Sequence, residues 1–226
     1  MSSFTTSLLI NCVVVTYNRL NLLKENIQAL KAQTLQLHKI FIIDNCSTDG
    51  TREFLDSFSP DPHMEIIHLP ENKGGAWGFY EGIKQAVLAG CDYVWIMDDD
   101  TIPTNNALEE LAKGLSLSAH IGFVCSKVIW TDGSLHKMNG PNLISDSITT
   151  KYEQKNNPQT AGLACESCSF VSVLFSAKAV REVGLPIKEF FIWADDLEYT
   201  SRIHQHHYDG FYIEKSVVVH KTAVNY

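Results

Sequence analysis

Apolar runs alternate with amphipathic stretches through the first half of the chain. Leu8 to Val15 is an apolar run of the kind buried on both faces of a sheet. Leu20, Leu23, Ile27 and Leu30 then recur at helical spacing. Lys39 to Ile43 reads as a second strand ending at Asp44, and Asn45 to Gly50 is a cluster of turn residues. A short helix with Phe54, Leu55 and Phe58 on one side follows, then a third strand from Met64 to Leu69 and a loop from Pro70 to Gly75. Phe79, Ile83, Ala86 and Val87 mark a helix that stops near Gly90, and Tyr93 to Met97 is a fourth strand running into Asp98, Asp99 and Asp100. This order predicts an α/β fold with a mostly parallel sheet and helices on both faces.

The second half is less regular. Leu108, Leu111 and Leu115 predict a helix, and Gly122 to Val128 a strand. Residues 130–160 are polar and rich in turn signals, as for a hairpin or a mobile loop over a site. Phe170 to Phe175 reads as a strand with a short helix to Val183 behind it. Asp195 to His206 reads as a helix, and Phe211 to Ile213 and Val217 to Val219 as two short strands.

Composition narrows the function. The chain has 226 residues, 45% of them hydrophobic, enough for one sizeable core without staples. Its net charge of −8 argues against a nucleic-acid binder, which needs a basic face. It suits a domain that gathers carboxylates around a cation. No apolar stretch is long enough to span a bilayer, and the N-terminal apolar run reads as a strand rather than a signal peptide. The six cysteines read as the reduced, mostly buried thiols of a cytoplasmic protein. Cys165 and Cys168 form a lone CxxC, short of the four ligands of a structural zinc site.

In a parallel α/β sheet, ligands bind at the carboxyl ends of the strands, and the unusual polar residues fall there. Thr16, Tyr17, Asn18 and Arg19 follow the first strand, and Asp44 ends the second. Asn72, Lys73 and Gly74 follow the third, and Asp98 to Asp100 end the fourth. Alternate residues of an extended segment share a side, so Asp98 and Asp100 converge while Asp99 points away. Two like charges brought together call for a cation. Asp195 and Asp196 form a second acidic cluster, which could equally serve to cap a helix. His204, His206 and His207 sit at a helix end before Asp209-Gly210, where the dipole favours them, and need not bind a metal.

Taken in order, VVVTYNRLNLL, IIDNCSTDGT, NKGGAWGF, WIMDDD and VGLPIKEFFIWADDLEYTSR, with a late Val217-Val218-Val219-His220, resemble the family-2 glycosyltransferases of the GT-A fold. The pattern looks most like the bacterial galactofuranosyltransferase branch, with rhamnosyltransferases close behind. The resemblance implies a single GT-A domain over residues 1–226, with a nucleotide-binding half (1–104) and an acceptor-binding half (105–226). It implies that Thr16, Tyr17, Asn18, Arg19, Asp44, Asn72, Gly74 and Asp98 line a nucleotide pocket. Gly74 would let backbone approach the nucleotide. Asp98, Asp100 and His220 would hold Mn²⁺ or Mg²⁺ against a diphosphate. Asp195 or Asp196 would be the base of an inverting transfer, the former favoured by the galactofuranosyltransferase form of the motif. Trp193 and Glu198 would face the acceptor, although Trp193 could also be core.

The function so implied is sugar transfer, with galactofuranose first in line, from a UDP-sugar to a glycan or lipid-linked acceptor in cell-surface polysaccharide synthesis, at the inner face of the membrane if peripherally bound. Oligomeric state is left open. Three alternatives stay open: a dTDP-rhamnose-dependent rhamnosyltransferase, a haloacid-dehalogenase-type phosphatase built on Asp98-Asp99-Asp100-Thr101, and a non-catalytic nucleotide-sugar binder. The chain ends soon after His220, where the resembled branch usually continues into further helices, which leaves acceptor binding in doubt.

Overall fold

The computed structural model describes residues 8–58, 60–144, 152–154 and 157–225. Four strands, β1 (Ile10–Thr16), β2 (Lys39–Asp44), β3 (Met64–His68) and β4 (Tyr93–Asp98), lie side by side in the order β3-β2-β1-β4, all parallel. They alternate with α1 (Leu20–Lys31), α2 (Thr51–Asp56) and α3 (Gly74–Leu88). Successive side chains of a strand face opposite ways, and the core divides accordingly. Cys12, Val14, Ile40, Ile42, Trp95 and Met97 face one layer with α1, α2 and α4 (Ala107–Gly114). Val13, Val15, Phe41, Ile43, Val94 and Ile96 face the other with α3, α5 (Ala177–Val183) and α6 (Asp195–Gln205). Strands buried on both faces are why the sequence shows runs there instead of alternation.

Two glycines let α3 lie close on the sheet. A Cβ at Gly78 would meet Val15 Cγ1 at 2.5 Å, and one at Gly82 would meet Val13 Cγ1 at 2.3 Å.

Beyond β4 the sheet turns mixed. The short β5 (Thr101–Pro103) pairs antiparallel with β11 (Asp209–His220). The strand β10 (Val173–Ser176) runs antiparallel between β4 and β6 (Ile121–Ile129), and β11 lies parallel to β6. The remaining strands, β7 (Asn142–Leu143), β8 (Tyr152–Gln154) and β9 (Asn157–Ser167), complete the far edge. Among the described residues no helix is long and apolar enough to cross a membrane.

The expected hairpin in the polar stretch 130–160 is present: β8 pairs antiparallel with the start of β9. β7 lies there too, while 145–151 and 155–156 lie outside the described residues. Three other expectations need correction. β9 escaped notice because its buried residues include the small Gly162, Ala164, Cys165 and Ser167, which leave no apolar signature. Only Val173 to Phe175 of the expected 170–175 strand is extended in the sheet, in a strand that runs on to Ser176; Cys168 to Ser172 form the turn before it. The two short strands at 211–219 are one, with an irregular register between Ile213 and Val217 that puts Glu214 and Lys215 in solvent and Ser216 inside. The polar Glu-Lys-Ser triplet imitates a turn.

Candidate active site

The carboxyl ends of β1 and β4 meet the carboxyl end of β11, because β11 carries β5 along its edge: His220 pairs with Thr101 in register. His220 thereby reaches the Asp98–Asp100 segment across 120 residues of chain. Asp98, Asp100 and His220 each offer a ligand atom, all within 4.8 Å of one another, and among the described residues they are the only such group. Asp99 stays outside that trio, although its Oδ1 shares Arg19 Nη1 with Asp100, at 3.3 Å. It accepts hydrogen bonds from the Thr16 hydroxyl (2.7 Å) and the Tyr17 amide (3.4 Å).

Charge in this cluster is unevenly shared. Burial, with Asp100 beside it, pushes Asp98 up to about 7. Burial also pushes Asp99 up to about 6. Burial works against the Asp100 carboxylate too, but the bond from His220 and the charges of His220 and Arg19 outweigh it and lower its pKa. Arg19 Nη1 lies 2.6 Å from Asp100 Oδ2, and His220 Nε2 lies 3.0 Å from Asp100 Oδ1. Burial opposes the charge on His220, yet the Asp100 bond and the fields of Asp100 and Asp98 raise its pKa.

The donor set suits a divalent cation. Two carboxylates and an imidazole are compatible with Mn²⁺, and carboxylates with Mg²⁺. His220 Nδ1 is 2.9 Å from Asn139 Oδ1, whose amide nitrogen is committed to Ser169 at 3.2 Å. The Nδ1 proton therefore goes to Asn139, which turns Nε2 toward the carboxylates in the way metal-binding histidines are usually oriented.

One cavity of about 470 Å³ brings this cluster together with Asp195, Asp196 and Trp193. Asp195 and Asp196 open α6, whose N-cap is Ala194 rather than either acid, so neither is the capping residue. Burial, with Asp196 next to it, pushes Asp195 up to about 6, and burial also raises Asp196. Trp193 is 74% exposed at the cavity wall and is not core. Phe191, Trp193 and Ala194 all have positive φ, so the loop entering α6 is tightly bent.

Other expected site residues are engaged within the protein. Asp44 is fully buried: Oδ1 accepts from the Ser47 amide at 2.9 Å and Oδ2 contacts His68 Nδ1 at 2.7 Å. Thr16 is also buried. Tyr17 is 43% exposed. Asn18 holds the Thr48 amide at 2.7 Å. Asn72 accepts from the Gly74 amide at 2.9 Å. Gly74 does allow a close approach, but what approaches is the chain's own Phe191, whose carbonyl oxygen sits 2.0 Å from where a Cβ would be. Glu198 is not in the cavity wall; its carboxylate binds Arg202 at 2.6 and 3.1 Å. The C-terminal histidines of α6 form no ligand cluster, and Cys165 and Cys168 are buried free thiols.

Sequence reasoning did not find His136, Met138 and Asn139, which enter the cavity from the 130–144 segment. The chain's end ties that segment down: Asn225 Oδ1 accepts from the Lys137 amide at 2.9 Å, and the Thr222 carbonyl accepts from Trp130 Nε1 at 3.0 Å.

The profile of Glycosyl transferase family 2 matches residues 12–184. The chain belongs to this family. Among characterised relatives, the galactofuranosyltransferase GlfT1 of Mycolicibacterium smegmatis is 26% identical over 195 residues, covering 84% of this chain and 64% of that protein. GlfT1 of Mycobacterium tuberculosis is 28% identical over 202 residues, covering 84% and 63%. The family-2 chain thus spans less than two thirds of the length of these relatives. Among solved structures, GalNAc-T7 with UDP, GalNAc and Mn²⁺ superposes with a TM-score of 0.77 at 15% identity, over 96% of this chain and 44% of that one. The mannosyltransferase PcManGT of Pyrobaculum calidifontis with GDP-Man and Mn²⁺ gives 0.69 at 18% identity, over 95% and 57%. These likenesses establish the GT-A fold. Family membership also sets aside the phosphatase alternative.

Proposed function

We propose that this family-2 chain transfers a sugar, with inversion, from a UDP-sugar to a hydroxyl of a glycan or lipid-linked acceptor. Galactofuranose is the favoured sugar because the two GlfT1 relatives are galactofuranosyltransferases. The observation behind the proposal is the single cavity that holds both the Asp98, Asp100 and His220 trio and the Asp195-Asp196 pair.

An inverting transfer needs a base at one end and a stabilised leaving group at the other. Asp195 is the favoured base. With a pKa near 6 it is ionised at neutral pH yet more basic than an exposed carboxylate. Trp193, exposed beside it, offers a flat apolar face to the acceptor sugar. Asp98, Asp100 and His220 would hold the cation, and a bound Mn²⁺ or Mg²⁺ supplies charge neutralisation for the departing diphosphate. His220 Nε2 must lose its proton to take part, so cation binding releases protons. Arg19, half-exposed on the same wall, offers the diphosphate a second positive group. Residues 1–104 carry the nucleotide half and 105–226 the acceptor half.

A donor screen by mass spectrometry, with Mn²⁺ and a short or lipid-linked sugar acceptor, tests the proposal. Product from UDP-galactofuranose is expected. Product from dTDP-rhamnose alone overturns the donor, and absence of any UDP binding by calorimetry overturns the transferase function.

A further inference from the structure

The turn before β10 joins the two chemistries of the cavity. Ser169, Phe170 and Val171 line the same wall as the Asp98, Asp100 and His220 trio and the Asp195-Asp196 pair. Ser169 Oγ accepts the Asn139 amide at 3.2 Å, and Asn139 is the residue that orients His220. The backbone of Phe170, one residue on, hydrogen-bonds the Asp196 carboxylate and favours its charged form. Ser169 therefore stands between the trio and the acid pair, and it is partly exposed there.

A hydroxyl that accepts one bond still has a proton to give. Among the described residues nothing accepts the proton of Ser169. Other donors on the same wall are engaged. The Thr222 hydroxyl gives its proton to the Val224 carbonyl at 2.9 Å, and the Arg19 guanidinium lies on Asp99 and Asp100. The carboxylates around the cavity can take the proton of a sugar hydroxyl, but its oxygen needs a donor. The geometry points to Ser169 Oγ as the donor to a hydroxyl oxygen of the sugar being transferred. In an inverting transfer the leaving diphosphate and the attacking hydroxyl lie on opposite sides of that sugar, so it must sit between the two groups that Ser169 joins. This inference rests on the transferase function proposed above and adds to it a residue that reads the sugar rather than the nucleotide.

Three substitutions separate the two bonds of the hydroxyl. Ser169→Ala loses the donated bond and the acceptor for Asn139. Asn139→Ala loses the bond between the two residues and keeps the hydroxyl. Ser169→Thr keeps both bonds. Calorimetry in Mn²⁺ with UDP-galactofuranose and with UDP gives each variant's preference for the sugar-bearing nucleotide, from which any loss of cation or nucleotide affinity cancels. Thermal unfolding verifies that the variants are folded, and transfer kinetics supply the acceptor KM.

Ser169→Ala should lower the preference about fivefold, the worth of one hydrogen bond, and Ser169→Thr should keep most of it. Asn139→Ala should weaken both nucleotides alike and leave the preference within about twofold of wild type. An unchanged preference in Ser169→Ala overturns the inference. So does an equal fall in Asn139→Ala, which would make Ser169 only a support for Asn139. A raised acceptor KM with the donor preference intact gives the hydroxyl to the acceptor and overturns it as well. A wild-type chain that binds neither UDP nor UDP-galactofuranose in Mn²⁺ overturns the transferase function itself, and the inference with it.

Discussion

Gly74→Ala should loosen the acceptor side of the site without touching a single catalytic group. Gly74 is the first residue of α3 and has φ of +83°. A left-handed backbone costs an L-residue about 1–2 kcal/mol. The added methyl would lie 2.0 Å from the Phe191 carbonyl oxygen and 2.6 Å from its carbon, against backbone that cannot rotate aside. Overpacking of this kind costs about 1–3 kcal/mol. If the loop holds its place, the variant is therefore less stable by about 2–5 kcal/mol.

If the loop yields instead, the 3.2 Å bond from the Ala76 amide to the Phe191 carbonyl breaks, and Trp193 and Asp195 shift with it. A misplacement of about 1 Å at a reacting group costs about a hundredfold in rate. Urea denaturation and transfer kinetics together cover both responses. Gly75→Ala is the control for stability: nothing lies within 4 Å of its Cβ position, and alanine there should gain up to about 1 kcal/mol as a better helix former. A Gly74→Ala variant with wild-type stability and wild-type acceptor KM and kcat would refute the argument that Phe191 requires glycine here.

Three further outcomes are expected. Asn139→Ala removes the partner of His220 Nδ1 and should weaken Mn²⁺ binding about 10–100-fold while the protein stays folded; unchanged Mn²⁺ affinity by calorimetry would move the cation elsewhere. The raised pKa of Asp195, about 6, means that its base form persists above that pH and is lost as pH falls through it. kcat/KM should then drop about tenfold per unit below pH 6, and a profile flat to pH 5 would exclude Asp195 as the base. Arg202→Ala leaves the Val183 and Leu185 carbonyls without their bonds of 2.9 and 3.0 Å and should cost about 1–3 kcal/mol, read in a denaturation midpoint, with no change in acceptor KM. A raised KM with intact stability would return Glu198 to the acceptor site.

Much of the site was legible because it lies where strands end. The runs at β1 to β4 could be read from apolar residues alone, since strands buried on both faces cannot hide among polar ones. Polar residues that follow such runs stand out; Asp98 and Asp100 do meet, but β4 ends at Asp98 and the next two residues form a turn, so the turn and not a strand's two-residue period joins them. Charge counting alone misleads. Eight acids (Asp44, Asp49, Asp98, Asp99, Asp100, Asp195, Asp196 and Glu198) equal the whole excess over the basic residues, yet they do not all crowd one rim. Asp44 is instead buried under Ser47 and His68, Asp49 stays exposed with bonds from Leu20 and Thr51, and Glu198 is paired with Arg202. Composition records how many charges a chain has and nothing of which are already paired.

The sequence by itself thus determined the layered α/β fold, the strand ends where the candidate site lies and the acidic pairs, because periodicity and strand-end position are local properties. Only the tertiary structure decided what meets what. It set His220 beside Asp100 through the pairing of β11 with β5. It folded the 130–144 segment over them so that His136 and Asn139 face the cavity, and it turned Glu198 away toward Arg202. Those choices depend on the packing of residues up to 120 positions apart, and a hydrogen bond across that distance leaves no trace in the order of the residues around either partner.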